Sequence, residues 1–157
     1  MTLETIFSIA NSLALAGWIV LAVFPRANWA NTTVAARIIP LTLAAMYIGI
    51  VILHGKEGKG SFNTLAGVMQ LFENPWGVLA GWIHYLAFDL FIGAWETRDA
   101  MKRGIHRLLL LPCLILTFLL GPVGLATYFG VRAMLSLIHR HYSSKSTPGA
   151  VRLSNTR

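Results

Sequence analysis

Four long apolar runs separated by short polar stretches dominate the chain. A helix needs about 20 mostly apolar residues to cross the hydrocarbon of a bilayer, and each run meets that length. The first extends from Ile6 to Phe24 and is ended by Pro25-Arg26. The second extends from Val34 to Leu53, with Arg37 near its start and His54-Gly55 at its end. The third extends from Trp76 to Trp95 and is opened by Asn74-Pro75, a capping residue followed by Pro at the first helical position. The fourth, Leu108 to Leu137, exceeds what a bilayer needs: at ~1.5 Å per residue it would reach about 45 Å. Pro112 and Gly121-Pro122 interrupt it. Pro122 lacks a backbone donor and crowds the carbonyl four residues earlier, so the run predicts one kinked helix that leaves the membrane near Arg132.

Between the second and third runs, His54 to Gly60 reads as a flexible turn. Ser61 then caps a short helix in which Phe62, Leu65, Val68, Met69 and Phe72 recur at helical spacing. This helix is too short to span and is expected at the interface. The tail from Tyr142 to Arg157 is polar and basic, and is expected to be disordered. The organisation is therefore a transmembrane domain over 1–141 and a tail over 142–157. The fold class is an all-α integral membrane protein: a four-transmembrane-helix bundle with a short interfacial helix between helices two and three. Met1-Thr2-Leu3-Glu4 lacks the basic start of a secretion signal, so the first run is expected as a mature helix.

Composition agrees with this picture. Hydrophobic residues make up 55% of the chain and charged residues 12%, against about a quarter charged in soluble domains, and the mean hydropathy is +0.62. The formal net charge of +7 comes from Lys and Arg placed between and after the apolar runs. That distribution suits lipid headgroups rather than nucleic acid. The cluster Arg98, Lys102, Arg103 and Arg107 favours a cytoplasmic loop. The single cysteine, Cys113, allows no intrachain disulfide. The sequence has no Gly-rich phosphate loop, nucleophile elbow or HExxH, and its five histidines do not cluster. His54 and His84 lie at different depths, which argues against a haem. No metal and no cofactor are expected.

Ionisable side chains at membrane depth are expensive and usually face the bundle interior, which draws attention to the third helix. At about 100° per residue, Trp82, Tyr85, Asp89, Gly93 and Glu96 share one face. His84, Phe88, Phe91, Trp95 and Arg98 lie on the other, so this helix is expected to be packed by protein around most of its circumference. A carboxyl in a bundle interior suits a general acid, or it serves as interhelical hydrogen-bonding glue; both readings stand for Asp89. His84 is a candidate proton acceptor or a plain interhelical donor. Glu96, Arg98 and Asp99 read as an ion-pair network near the helix end, or as the wall of an access site. Asn11 and Trp18 on the first helix, and Tyr47 and His54 on the second, are spaced seven residues apart as candidate lining residues. Arg37 snorkels to headgroups or pairs with a carboxylate.

Phe62 to Phe72 reads Phe-Asn-Thr-Leu-Ala-Gly-Val-Met-Gln-Leu-Phe. Gly81 to Ala100 reads Gly-Trp-Ile-His-Tyr-Leu-Ala-Phe-Asp-Leu-Phe-Ile-Gly-Ala-Trp-Glu-Thr-Arg-Asp-Ala. Leu111-Pro112-Cys113, the run Phe118 to Gly124, Asn11 to Trp18 and Pro25-Arg26 continue the pattern. The chain up to about Arg132 resembles the abscisic-acid-deficient-four-like membrane family, whose plant members are tied to neoxanthin formation from violaxanthin. The resemblance implies a cofactor-free, redox-neutral isomerisation: an epoxide opens, a double bond shifts and an allene forms. It assigns Asp89 or Glu96 as proton donor, His84 as acceptor, and Trp82, Tyr85 and Trp95 as π faces for cationic character. The +7 chain with its basic, Ser-rich tail does not read as a plant precursor with a transit peptide, so a bacterial inner membrane is expected, with another carotenoid, a retinal-like apocarotenoid or a different isoprenoid as substrate. The alternative is a non-catalytic lipid- or pigment-binding or assembly protein. A transporter is a weaker reading without an inverted repeat. The expected partners are a hydrophobic small molecule and membrane lipids, with homo-oligomerisation left open.

Overall fold

The computed structural model describes residues 1–24, 27, 29–56 and 59–145, and over these the chain is all-helical. Helix α1 (Leu3–Val23) begins at Thr2, whose hydroxyl accepts the Thr5 N–H at 3.2 Å, with Glu4 complementing the first-turn dipole. Helix α2 (Ile39–His54) continues a π-wound segment, Ala30–Ile38. The widened turns end at Pro40, which has no N–H to offer the carbonyl four residues back. Helix α3 (Leu65–Glu73) is capped by Thr64 rather than Ser61: the Thr64 hydroxyl accepts the Gly67 N–H at 3.0 Å. Helix α4 (Pro75–Lys102) starts as expected, with the Asn74 Oδ1 accepting the Trp76 N–H at 2.8 Å and Pro75 at the first position. Helices α5 (Arg107–Leu120) and α6 (Pro122–Lys145) are the last of the described elements. The expected ending of the first run by Pro25-Arg26 and the tail over 146–157 lie outside the described residues, while α6 carries helix through to Lys145.

Among the described residues, three helical stretches are long and apolar enough to cross a membrane: Leu3–Val23, Thr33–His54 and Pro75–Lys102. The fourth apolar run differs from expectation. In place of one kinked helix there are two shorter ones, α5 and α6, broken at Gly121 with φ +31° and ψ −86°. Thr117 of α5 meets Glu96, Gly121 meets Asp89, and Tyr128 of α6 meets Asp99. The chain therefore runs along α4 toward its middle and turns back along it as a helical hairpin. Glycine reaches the positive φ without a Cβ penalty. Pro122 then opens α6 where a missing N–H costs nothing. The motif expected to bend a helix instead stops one and starts another.

Helix α4 is the axis of the fold and touches every other helix. Its buried residues include Ile83, Leu90, Ala94 and Ala100, and small residues bring its neighbours close. Ala10, Ala14 and Gly17 line the buried stripe of α1. Side chains from both partners fill these notches: Leu90 packs over Gly17, and the Trp18 ring covers Gly93. The outward faces of α1 and α2 are apolar, with Leu15, Ile19, Leu41 and Ile52 exposed. Leu65, Met69 and Phe72 of α3 form a similar exposed apolar stripe. So many outward-facing apolar side chains suit hydrocarbon rather than water, and the chain is a membrane protein. Protein was expected around most of the circumference of α4; His84, Phe88 and Phe91 form an outward stripe along its remaining side.

Candidate functional site

The middle of α4 carries two buried acids, Asp89 and Glu96, two helical turns apart on one face. Their surroundings differ. Glu96 is fully buried, and the Thr117 hydroxyl sits 3.0 and 3.1 Å from its two carboxyl oxygens. Asp89 is 7% exposed and its Oδ2 has no hydrogen-bond partner. The hairpin tip closes over it: a Cβ built on Gly121 would lie 2.8 Å from Asp89 Oδ1. A buried carboxyl oxygen left without a donor is costly in an apolar interior, by about 1–3 kcal/mol, and such a group invites a functional explanation.

Tyr85 stands one turn before Asp89. Its hydroxyl neighbours the Asp89 carboxyl and donates to the Phe118 carbonyl at 3.2 Å. Pro122 explains why that carbonyl is available, since residue 122 has no N–H with which to close the helical bond to residue 118.

On the far side of Tyr85 an open groove of about 740 Å³ runs between α1, α3 and the first turns of α4. Phe7, Phe72, Val78, Trp82 and Tyr85 supply its apolar and aromatic walls, with Glu4 and Glu73 among its few charges. The Trp82 ring is tilted against Phe7 at 6.0 Å and stacked on Tyr85 at 5.5 Å. A second recess of about 470 Å³ shares Leu3, Glu73 and Pro75 with the groove and adds Lys59, Gln70, Asn74 and Trp76. The pair forms a greasy slot with a polar mouth, and each recess by itself lies within the size range of small-molecule sites.

The remaining candidate residues are dispersed. The Asn11 Oδ1 accepts the Trp82 indole N–H at 3.0 Å, while its own amide donates to the Phe7 carbonyl at 2.9 Å. Replacing Asn11 by Leu is expected to lower stability by about 0.5–1 kcal/mol, the scale of interhelical hydrogen bonds in membranes; thermal unfolding in detergent measures it. Trp18 is a packing residue, edge-on to Phe118 at 5.5 Å. Trp95 packs edge-on to Tyr128 at 5.6 Å. His84 lies on the outward stripe between Tyr47 at 5.7 Å and Phe88 at 4.5 Å. His54 stacks on Trp76 at 3.7 Å, beside the polar recess. Arg98 is half-buried and feels the like charge of Arg37, which is exposed.

Among the described residues, an ion-pair network forms around Asp99. Asp99 accepts from Arg103 at 2.8 Å and from Tyr128 at 2.8 Å, with Arg132 at 3.6 Å. Glu96 belongs to the interior and Thr117. Thr117, Gly121 and the Phe118 carbonyl escaped the sequence reading because they face α4 only once the hairpin has turned.

A family model described as ABA DEFICIENT 4-like matches residues 5–128. The chain belongs to the ABA4-like family. The matched region holds Tyr85, Asp89, Glu96 and Thr117 and runs to Tyr128 in α6, so both acids and the hairpin tip lie inside it. No curated protein and no solved structure matches the chain. Membership in the ABA4-like family points to a carotenoid-related membrane protein.

Proposed function

We propose that this ABA4-like protein is a membrane isomerase that acts without redox change on a carotenoid, an apocarotenoid or another isoprenoid held in the groove. One observation carries the reading: an apolar, aromatic-lined groove ends at Tyr85, one turn from a buried acid whose Oδ2 lacks a partner. A redox-neutral shift of a double bond needs a proton delivered at one atom and removed at another. Asp89 supplies the proton. Glu4 and Glu73, carboxylates on the groove wall, are the acceptors. The reading gives His84 no part in proton transfer, because that ring is turned outward. Trp82 and Tyr85 present π faces to positive charge that develops on the polyene. Asn11 holds Trp82 in place, and Lys59 and Asn74 at the mouth suit a hydroxylated or otherwise polar end group.

In the membrane, α1, α2 and α4 span, and the α5–α6 hairpin enters beside α4 in place of a fourth span. Helix α3 lies along the headgroup layer with Leu65, Met69 and Phe72 dipped into the acyl boundary.

A second reading has the same groove hold a pigment or lipid without converting it. It is favoured by the position of Asp89, which does not itself line the groove. Carotenoid-producing cells with and without the protein, compared by pigment chromatography, separate the two. Conversion appears as a new isomer of unchanged mass that accumulates only with the protein. Recovery of unaltered pigment in stoichiometric amounts with the purified protein supports holding alone.

A further inference from the structure

We propose that Tyr85 is the proton relay between the groove and Asp89. The proposal deepens the reading above and rests on the groove being the ligand site, but its test needs no substrate. Three observations carry it. Tyr85 lines the groove whereas Asp89 does not, so a ligand in the groove meets the phenol first. The Tyr85 hydroxyl is already committed as a donor, to the Phe118 carbonyl at 3.2 Å. The Asp89 Oδ2, one helical turn from that phenol, is the buried carboxyl oxygen without a hydrogen-bond partner among the described residues.

In the relay Asp89 is neutral and turns its proton toward the phenol. Its carboxyl O–H donates to the free lone pair of Tyr85 Oη while the phenol donates to Phe118. The result is an ordered chain, Asp89 O–H to Tyr85 O–H to Phe118 C=O, in which each proton has an acceptor. The hairpin fixes both ends. Pro122 leaves the Phe118 carbonyl without its helical donor, and Gly121 brings the tip against Asp89.

A ligand oxygen that takes the place of the Phe118 carbonyl receives the phenol proton. Tyr85 then takes the proton of Asp89. The ligand gains one proton, Asp89 becomes a carboxylate, and Tyr85 is neutral before and after. The proton that Glu4 or Glu73 removes from carbon balances the one delivered, and its return to Asp89 through Tyr85 restores the resting state.

Infrared spectroscopy of the purified protein in mild detergent tests this. The wild type should show a protonated carboxyl C=O band that Asp89→Asn removes and Glu96→Gln leaves in place. In Tyr85→Phe that band should move to higher wavenumber, because the Asp89 O–H has lost its acceptor. Its exchange in heavy water should also slow by about tenfold, the rate equivalent of a lost hydrogen bond. A merely loosened structure would exchange faster, so the sign separates relay from damage. Val78→Trp narrows the groove above an intact Tyr85 and should also slow exchange, which keeps the test available if Tyr85→Phe folds poorly. The proposal is overturned if the wild type has no Asp89-dependent band, or if band and exchange are unmoved in Tyr85→Phe. Unchanged pigments alongside a responsive band would count against the isomerase reading and leave the relay standing.

Discussion

Asp89→Asn is expected to lower isomer formation by about 100-fold or more, the low end of what a positioned general acid contributes, while the helices and groove remain intact. Asn keeps the planar shape of the carboxyl, so the contact with Gly121 and the packing of the hairpin tip are preserved. What it loses is the acidic proton. Its amide instead brings donors to the position where Oδ2 now has no partner. That amide donor takes the place of the carboxyl O–H toward Tyr85 Oη, so the variant should melt at about the same temperature as wild type. Glu96→Gln should have a much smaller effect on activity, because Glu96 is held by Thr117 and has no groove contact. The measurements are product per unit protein by chromatography and thermal unfolding in detergent. Wild-type turnover by Asp89→Asn would remove the general-acid role and favour a pigment-holding protein.

The sequence disclosed the spans because bilayer thickness and apolar run length are tied by simple geometry. Leu3–Val23, Thr33–His54 and Pro75–Lys102 appear close to where the runs place them. Asp89 was legible for a related reason: a carboxyl in the middle of such a run stands out against its background. The hairpin was not legible. Gly121-Pro122 is compatible with a kink, a break or a reversal, and only the contacts of Thr117, Gly121 and Tyr128 with α4 choose among them. The role of Tyr85 was hidden with it, since its acceptor is a carbonyl that Pro122 frees. His84 stands on the other face of α4 from Asp89, as its spacing implies. Residues five apart on a helix are separated by about 140°, and His84 faces outward beside Phe88.

The largest effect on stability is expected at Gly124, where α6 passes nearest to α5. A Cβ there would press on the backbone nitrogen, Cα and Oγ1 of Thr117. These are not the far ends of flexible side chains, so the helices must separate to make room. Overpacking of this kind costs about 1–3 kcal/mol. Separation also pulls Thr117 away from Glu96, whose fully buried carboxyl has the Thr117 hydroxyl at 3.0 Å. Stranding that group adds a penalty of about 1–3 kcal/mol. Gly124→Val should therefore lower the melting temperature markedly and loosen the tip that closes over Asp89, so activity falls with stability. Gly130, on the same helix, provides the control: a Cβ there meets nothing within 4 Å. Gly130→Ala should be neutral or stabilising, since Ala is favoured over Gly in a helix interior by about 1 kcal/mol. Thermal unfolding of the two variants side by side decides the matter. Equal melting temperatures for Gly124→Val and wild type would mean that α5 and α6 do not close on one another, and the hairpin, with the seat it makes for Asp89, would have to be given up.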